Sequence, residues 1–289
     1  MQIAVSGGKG GTGKSTVAVN LALALAEVTS GEVTLADLDV EAPNDHLLLN
    51  VELGEGRPVE QFLPRFNYNL CTRCRKCAEV CEEHAIITLR DGTPFLMPNL
   101  CSGCRACEIV CPVSGAIEEA FKVIGWIHEG ETHYGVKLVT GRLKEGEERS
   151  MPLVVEAKRH ALKVAKDILV VDTAAGTGNT VSTAIEGSDL LVAVTEPTPL
   201  GLHDTGLILK LGSLMGLRTW VVINRSDLGD VEAVERLASS YGAEIVARIP
   251  YSETILRSYV SGRPVVIYER DSEEARTFFD VAKRVLEVV

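Results

Sequence analysis

The sequence predicts an α/β protein with a mostly parallel, doubly wound sheet, into which a smaller α+β module is inserted. Short, almost wholly apolar runs alternate with stretches of helical periodicity at both ends of the chain, which is typical of parallel strands covered on both faces. The alternation stops after about Asn50 and resumes at about Met151. All eight cysteines lie between these two points. One α/β domain split by an insertion fits this pattern better than three separate domains.

The individual elements follow from the periodicity in chain order. A strand at residues 2–5 leads into a glycine-rich loop, a helix covers 15–27, and a second strand covers 33–37. After the interruption a helix is predicted over 154–166, and a C-terminal helix over 272–289 is expected to pack against the sheet. The later strands are predicted at 168–172, 190–194, 220–223 and 244–249.

The predicted boundaries divide the chain into three segments. Residues 1–60 and 119–289 form the two parts of the α/β domain, and residues 61–118 form the inserted module. Short alternating runs with glycines between them at 123–139 favour a hairpin. We therefore interpret residues 119–150 as a hairpin or connector.

The chain is acidic, with 289 residues and a net charge of −11. A protein that neutralises nucleic-acid phosphates needs a basic surface, so we expect no nucleic-acid partner. The sequence begins without a basic leader and holds no apolar run near the roughly 18 residues of a membrane span. We expect a cytoplasmic protein with no membrane partner.

A phosphate-binding motif follows the first predicted strand. Residues 8–15 read Gly-Lys-Gly-Gly-Thr-Gly-Lys-Ser and match G-x-x-x-x-G-K-[ST], placed between a strand and a helix. Glycines let backbone N–H groups approach phosphates, and the start of the helix adds a positive dipole end. Lys14 is expected to reach the β- and γ-phosphates, and Ser15 to hold Mg²⁺. The alternative is a glycine turn that binds nothing. The expected nucleotide contacts are Gly8, Gly10, Gly11, Thr12, Gly13, Lys14, Ser15 and Thr16.

Carboxylates follow two of the predicted strands. Asp37 and Asp39 end the second strand, and Asp172 ends the strand at 168–172. Ligands of open α/β sheets bind outside the carboxyl ends of the strands, where a carboxylate can hold a Mg²⁺-bound water or orient an attacking water. We interpret Asp37 as a turn or cap residue. The glycines that follow Asp172, at 176 and 178, would let that loop move.

The early lysine of the loop, Lys9, makes the motif more specific. The run Lys-Gly-Gly-Thr-Gly-Lys-Ser resembles the deviant Walker A loop of the MinD/ParA/nitrogenase iron protein class. That resemblance implies an ATP-dependent homodimer, or a pair of homologues, in which Lys9 reaches the partner's nucleotide. It also implies that Asp39 positions water and that Asp172 is the switch II carboxylate. Asn224 and Pro250, which follow two strands, would contact the adenine of ATP or ADP. The alternative for Lys9 is a solvated loop lysine.

The eight cysteines form two runs of the spacing C-x₂-C-x₂-C-x₃-C. Both runs resemble those of bacterial ferredoxins, in which the fourth cysteine ligates the other cluster. The resemblance implies two [4Fe–4S] clusters. The ligands implied for one cluster are Cys71, Cys74, Cys77 and Cys111, and for the other Cys101, Cys104, Cys107 and Cys81.

The two runs also look like an internal duplication. The second run ends in Cys111-Pro112, whereas Glu82 follows the fourth cysteine of the first run. Tetrahedral zinc is the main alternative to iron–sulfur clusters, and disulfides are a second alternative. His84 is interpreted as a solvated or supporting residue, because the cysteines already supply eight ligands.

Together these motifs resemble the MinD superfamily ATPases that contain an inserted ferredoxin domain. The resemblance implies an ATPase, slow without a partner, that couples ATP-dependent dimer closure to electron transfer through two clusters. One alternative is an ATPase that assembles iron–sulfur or other metal cofactors. Another is a MinD-like regulatory switch with a redox sensor. The sequence does not name a redox partner.

Overall fold

The computed structural model describes residues 1–288, and the chain divides into two compact units. Unit 1 comprises Met1–Arg57, Ile127–Leu143 and the chain from Arg149 onward, and unit 2 comprises Pro58–Trp126 and Lys144–Glu148. Unit 2 is therefore longer than the predicted module at 61–118, and it is discontinuous. The chain passes between the two units at four points.

The strands and helices alternate through most of unit 1. The strands are β1 (Gln2–Ser6), β2 (Val33–Asp37), β3 (Arg57–Phe66), β4 (Ile86–Thr88), β5 (Pro94–Leu96), β6 (Ile117–Glu131), β7 (Val136–Leu143), β8 (Ile168–Asp172), β9 (Leu190–Thr195), β10 (Arg218–Asn224) and β11 (Glu244–Ile249). The helices are α1 (Lys14–Val28), α2 (Asp45–Leu48), α3 (Lys76–Glu79), α4 (Ala106–Ile109), α5 (Met151–Val164), α6 (Asn179–Ile185), α7 (Pro199–Leu214), α8 (Val231–Ser240), α9 (Glu253–Val260), α10 (Val265–Tyr268) and α11 (Glu273–Val288).

The sheet of unit 1 is parallel along the order β11-β10-β9-β1-β8-β2-β7. All five residues of β1, β2 and β8 are buried, which explains why these strands read as continuous apolar runs. The strands predicted from such runs are therefore confirmed. The hairpin predicted at 123–139 is formed by β6 and β7, whose turn closes with a Thr132 N–H to Val136 carbonyl hydrogen bond of 2.9 Å.

Helices cover both faces of the sheet in unit 1. One apolar cluster joins the sheet to α1, α10 and α11 and includes Leu21, Val266 and Phe278. A second cluster joins the other face to α6, α7 and α8 and includes Ile208 and Val234. The predicted doubly wound architecture is confirmed, and the C-terminal helix packs against the sheet as expected.

Unit 2 repeats one short backbone pattern. Helices α3 and α4 each follow a residue of positive φ, Arg75 at 67° and Arg105 at 64°. The two halves are cross-paired, because the Asn67 N–H donates to the Ala116 carbonyl and the Met97 N–H donates to the Ala85 carbonyl. The start of each half is thus fixed to the end of the other half.

No helix within residues 1–288 has both the length and the apolar character that a membrane crossing requires.

Candidate functional site

The glycine-rich loop lies between the end of β1 and the start of α1. Gly13 has a φ of +96°, which favours glycine, and a Cβ there would lie 2.5 Å from Nδ2 of Asn224. That amide nitrogen donates a 2.9 Å hydrogen bond to the Thr12 carbonyl. The loop is therefore held by the end of β10, a strand that is distant in sequence.

An open cleft with a cavity volume of about 410 Å³ adjoins this loop. It brings together residues predicted from separate parts of the sequence, and this volume accommodates a nucleotide-sized ligand. The predicted residues that line it are Gly10, Gly11, Gly13, Lys14, Ser15, Thr16, Asp39, Asn224 and Pro250. Tyr251, which adjoins the predicted Pro250, also lines the cleft, and Leu256 and Tyr259 add an apolar wall that the sequence did not reveal.

The side chain of Lys14 is buried, and its Nζ donates to the Lys9 carbonyl at 3.1 Å. Burial lowers the pKa of Lys14, whereas the neighbouring carboxylates of Asp172 and Asp39 oppose that shift. A buried cation with spare donors at the start of a helix suits a polyphosphate. Gly8, Thr12 and Lys9 complete the loop but do not line the cleft.

Three carboxylates meet where β2 and β8 end and α2 begins. Asp37, Asp45 and Asp172 each place one carboxylate oxygen within 4.8 Å of the other two, and all three are buried. The carboxylate of Asp37 accepts hydrogen bonds from the backbone N–H groups of Asp39, Asn44 and Asp45. Asp37 therefore orders the turn, as the sequence predicted. Among residues 1–288, neither carboxylate oxygen of Asp45 has a hydrogen-bond partner.

The burial of these acids perturbs their ionisation. Burial raises the pKa of Asp37 and Asp45 well above the usual value, and Asp172 adds repulsion to both. Burial also raises the pKa of Asp172 to about 7, although Ser15 and Lys14 favour its charged form. Clustered carboxylate oxygens are hard ligands of the kind that Mg²⁺ accepts directly or through water. The residues present therefore fit a divalent cation beside Ser15.

Asp45 was missed by the sequence reasoning, because no local pattern distinguishes it from the exposed acids nearby. Asp45 begins α2, and only the fold brings it beside Asp37 and Asp172.

Lys9 is paired within its own chain. Its Nζ lies 3.1 Å from a carboxylate oxygen of Glu196, and Arg225 contacts the other oxygen of the same carboxylate. Arg225 also donates to the Gly11 carbonyl at 3.2 Å. Glu196 directly follows β9, as Asp172 ends β8, so its position after a buried strand was the sign that could have identified it.

The predicted base-contacting residues occupy the cleft in different ways. Pro250 is exposed at its edge, whereas both polar atoms of the Asn224 amide bond to backbone groups, those of Thr12 and Arg225. Base recognition by Asn224 thus stays a prediction. The loop after Asp172 is joined to the phosphate loop, because the Gly176 N–H donates to the Gly7 carbonyl at 3.1 Å.

In unit 2 the cysteines surround two small cavities. The first cavity is lined by Cys71, Cys74, Cys77 and Cys111. The second is lined by Cys81, Cys101, Cys104 and Cys107. Each cavity therefore takes three cysteines from one run and the fourth cysteine from the other run.

Cysteines also form part of the core of unit 2. Ile86, Cys107 and Ile117 are buried together, and partly buried neighbours include Cys77, Cys81 and Cys111. Burial raises the pKa of Cys107 to about 11 and also raises the pKa of Cys77 and Cys101. Units of this size rarely stabilise themselves by an apolar core alone and commonly rely on bound metal. Thiolate-binding metal would displace these protons.

A glycine-rich phosphate loop at the edge of a parallel sheet, with carboxylates at neighbouring strand ends, defines a P-loop nucleotide-binding protein. Residues 3–265 match the family described as the CobQ/CobB/MinD/ParA nucleotide binding domain, and the chain belongs to this family.

Similar proteins cover nearly the whole chain. An uncharacterized protein of Methanocaldococcus jannaschii is 34% identical over 275 residues, which are 93% of this chain and 92% of that protein. An iron-sulfur cluster carrier protein of Pyrococcus horikoshii is 25% identical over 300 residues, covering 99% of this chain and 85% of that one. The cell division ATPase MinD of Pyrococcus furiosus matches with a TM-score of 0.61 at 21% identity, covering 100% and 99% of the two chains. The last match confirms the predicted fold of unit 1 as MinD-like.

Proposed function

We propose that this chain is an ATP-hydrolysing iron–sulfur protein whose nucleotide state controls the use of two [4Fe–4S] clusters held by a ferredoxin-like unit. The grouping of the cysteines carries the proposal. Both cavities in unit 2 are lined by the crossed set of three cysteines plus one that bacterial ferredoxin spacing requires. The cross-paired backbone of unit 2 supports the grouping of Cys111 with the first run and of Cys81 with the second.

The spacing of the sulfur atoms favours clusters over single zinc ions. Among residues 1–288, no three cysteine Sγ atoms all lie within 4.8 Å of one another. With Zn–S bonds of about 2.3 Å, a tetrahedral zinc site needs Sγ atoms about 3.8 Å apart. Sγ atoms spaced more widely than this suit an inorganic core larger than a single metal ion. When bound, such clusters supply one-electron chemistry or serve as cargo for an acceptor protein.

The nucleotide half of the proposal rests on the cleft of unit 1. Lys14 and the helix start suit the β- and γ-phosphates, Ser15 and the buried carboxylates suit Mg²⁺, and Asp39 lines the same cleft. Asp39 and Asp172 are the carboxylates that we propose to orient water and Mg²⁺ for hydrolysis. We propose an ATP-dependent dimer in which Lys9 reaches the partner's nucleotide.

Two uses of the clusters are distinguishable. The relative named as an iron-sulfur cluster carrier favours assembly or transfer of clusters, and we place that use first. Electron transfer is the second candidate, because Cys101 and Cys107 are only 9% and 7% exposed. Enclosed ligands suit a cluster that stays in place.

The full chain, purified without oxygen, provides the test. Iron and sulfide per chain, ATP hydrolysis with Mg²⁺, and delivery of iron to an apo-ferredoxin would be measured with and without ATP. ATP-dependent loss of iron to the acceptor supports cluster transfer. ATP-dependent transfer of an electron to a one-electron dye from the chain previously reduced with dithionite, with excess dithionite removed and iron retained, supports the second candidate. A sample that binds no iron, or one that ignores ATP, refutes the proposal.

Glu196→Gln is expected to favour the proposed dimer. In the single chain, Lys9 must leave the carboxylate of Glu196 before it can reach a partner. Arg225 still contacts the Glu196 side chain after Lys9 has left. Loss of a partly buried pair worth about 1 kcal/mol raises the ATP-dependent dimer fraction about fivefold at subsaturating protein concentration. Size-exclusion chromatography with ATP measures this.

Glu253→Gln is the matched control for that experiment, because Glu253 forms an exposed pair with Arg257 on α9. An unchanged or smaller dimer fraction in Glu196→Gln, with normal melting temperature, would show that Glu196 does not restrain Lys9.

A further inference from the structure

The two cysteine runs differ sharply in charge. Between the ligands of the first run stand Arg73, Arg75 and Lys76, and all three are exposed and line the first cavity. The corresponding positions of the second run hold Gly103, Arg105 and Ala106. Over the whole runs, the first has three basic residues and one acid, whereas the second has one of each. The two runs therefore share their cysteines but differ in the charged residues that surround the two cavities.

The single cation of the second run is neutralised within unit 2. The guanidinium of Arg105 contacts the carboxylates of Glu108 and Glu119 and lies 4.6 Å from the centre of the Phe62 ring. At the first run, Arg73 pairs with Asp91 at 3.4 Å, and both side chains of that pair are 55% exposed. Asp91 offsets the charge of Arg73, so the net positive charge beside the first cavity comes from Arg75 and Lys76.

The second cavity is also the more enclosed of the two. A Cβ on Gly103 would lie 2.7 Å from the Gln61 side chain, so strand β3 packs directly over this turn. The Gln61 amide donates to the Cys101 carbonyl at 3.0 Å. No side chain as large as that of Arg73 fits at position 103. Within unit 2, the first cavity is therefore the more accessible of the two.

Exposed apolar side chains flank the same rim. Tyr68 is 56% exposed and Leu70 is 46% exposed, immediately before the first ligand, Cys71. The Tyr68 ring lies 6.3 Å from that of Phe66, which lines the first cavity. Arginine and tyrosine together on an exposed surface are typical of protein interfaces.

We infer that the cationic rim of Arg73, Arg75 and Lys76 is the docking surface of unit 2 for a protein that presents a cluster of carboxylates. This inference rests on the proposed function, and it identifies the first cluster as the one that the partner meets. The net charge of −11 does not prevent such docking, because charges beyond about 8 Å are largely screened at physiological ionic strength. Local complementarity then decides which surface is contacted.

Binding of a fluorescent decaglutamate peptide to the anaerobically purified full chain tests the inference. The double variant Arg75→Gln/Lys76→Ala removes two rim charges, and Ala is the residue that the second run carries at the equivalent position. We expect it to weaken peptide binding about tenfold, and we expect binding by the natural chain to weaken as salt rises. Fluorescence anisotropy measures both effects.

Arg236→Gln/Arg257→Gln is the matched control, because it removes two exposed arginines from unit 1 and lowers the net charge equally. Equal binding by the rim variant and this control overturns the inference, and so does an absence of peptide binding by the natural chain. Tighter, rim-dependent binding of a single-stranded oligonucleotide of equal charge also overturns it, in favour of nucleic acid. Iron content is measured on the same samples, so a failure of the proposed function is recognised separately from a failure of the docking surface.

Discussion

Lys14→Met is expected to weaken ATP binding at least about thirtyfold. The side chain of Lys14 is buried beside the phosphate loop, and methionine keeps most of its apolar volume while removing the charge. Truncating one partner of a buried charge pair costs about 2–5 kcal/mol, which corresponds to a loss of affinity of roughly 30-fold to several thousandfold. Titration with a fluorescent ATP analogue in the presence of Mg²⁺ measures the loss.

Thermal unfolding separates lost binding from lost folding in this variant. Saturating nucleotide at about 100 times Kd stabilises a binding-competent chain by about 2.7 kcal/mol, so the natural protein should melt at a higher temperature with ATP. Lys14→Met should keep a cooperative transition and lose the ATP-dependent shift. Lys283→Ala, which removes an exposed lysine on α11, should retain the shift. A normal shift in Lys14→Met would refute the assignment of the phosphate loop.

Unit 1 was predictable because its signals are local. A strand buried on both faces must be a continuous apolar run, and the phosphate loop needs its glycines within a few residues of Lys14. The contacts that complete the site are not local. Glu196 and Arg225 lie far from Lys9 in sequence, and only the parallel order of β1, β9 and β10 brings them together. No local feature of the sequence specifies these contacts between Lys9, Glu196 and Arg225.

In unit 2, too, the features set by neighbouring residues were predicted, whereas a contact between distant parts of the chain was not. The spacing of the cysteines identified two groups of four, because three ligands of each group lie within a single turn of chain. The return of Lys144–Glu148 to this unit was not predicted, since a charged stretch resembles a solvated loop. It is held there by the Lys144 N–H, which donates to the Ile124 carbonyl, and by the pair of Lys122 with Glu147.

Removing one cysteine is expected to remove one cluster and spare the other. Cys111→Ala takes away the single ligand that the second run contributes to the first cavity. Iron should fall from about eight to about four atoms per chain, because the ferredoxin-type cluster is held by four thiolates and one of its irons loses its protein ligand. Iron and sulfide analysis with the visible absorption spectrum measures the change. Alanine is preferred to serine, whose oxygen can replace the lost sulfur.

Two double variants then test whether the ligands cross between the runs. If they cross, Cys74→Ala/Cys111→Ala damages only the first cavity and keeps about four iron atoms, whereas Cys104→Ala/Cys111→Ala damages both cavities and keeps almost none. If each run held its own cluster, these two results would be exchanged. The same ligand, Cys111, is removed in both variants, so the difference between them depends only on which cavity it serves. The cross-paired hydrogen bonds of Asn67 and Met97 predict the crossed outcome, because they fix the end of each half beside the start of the other.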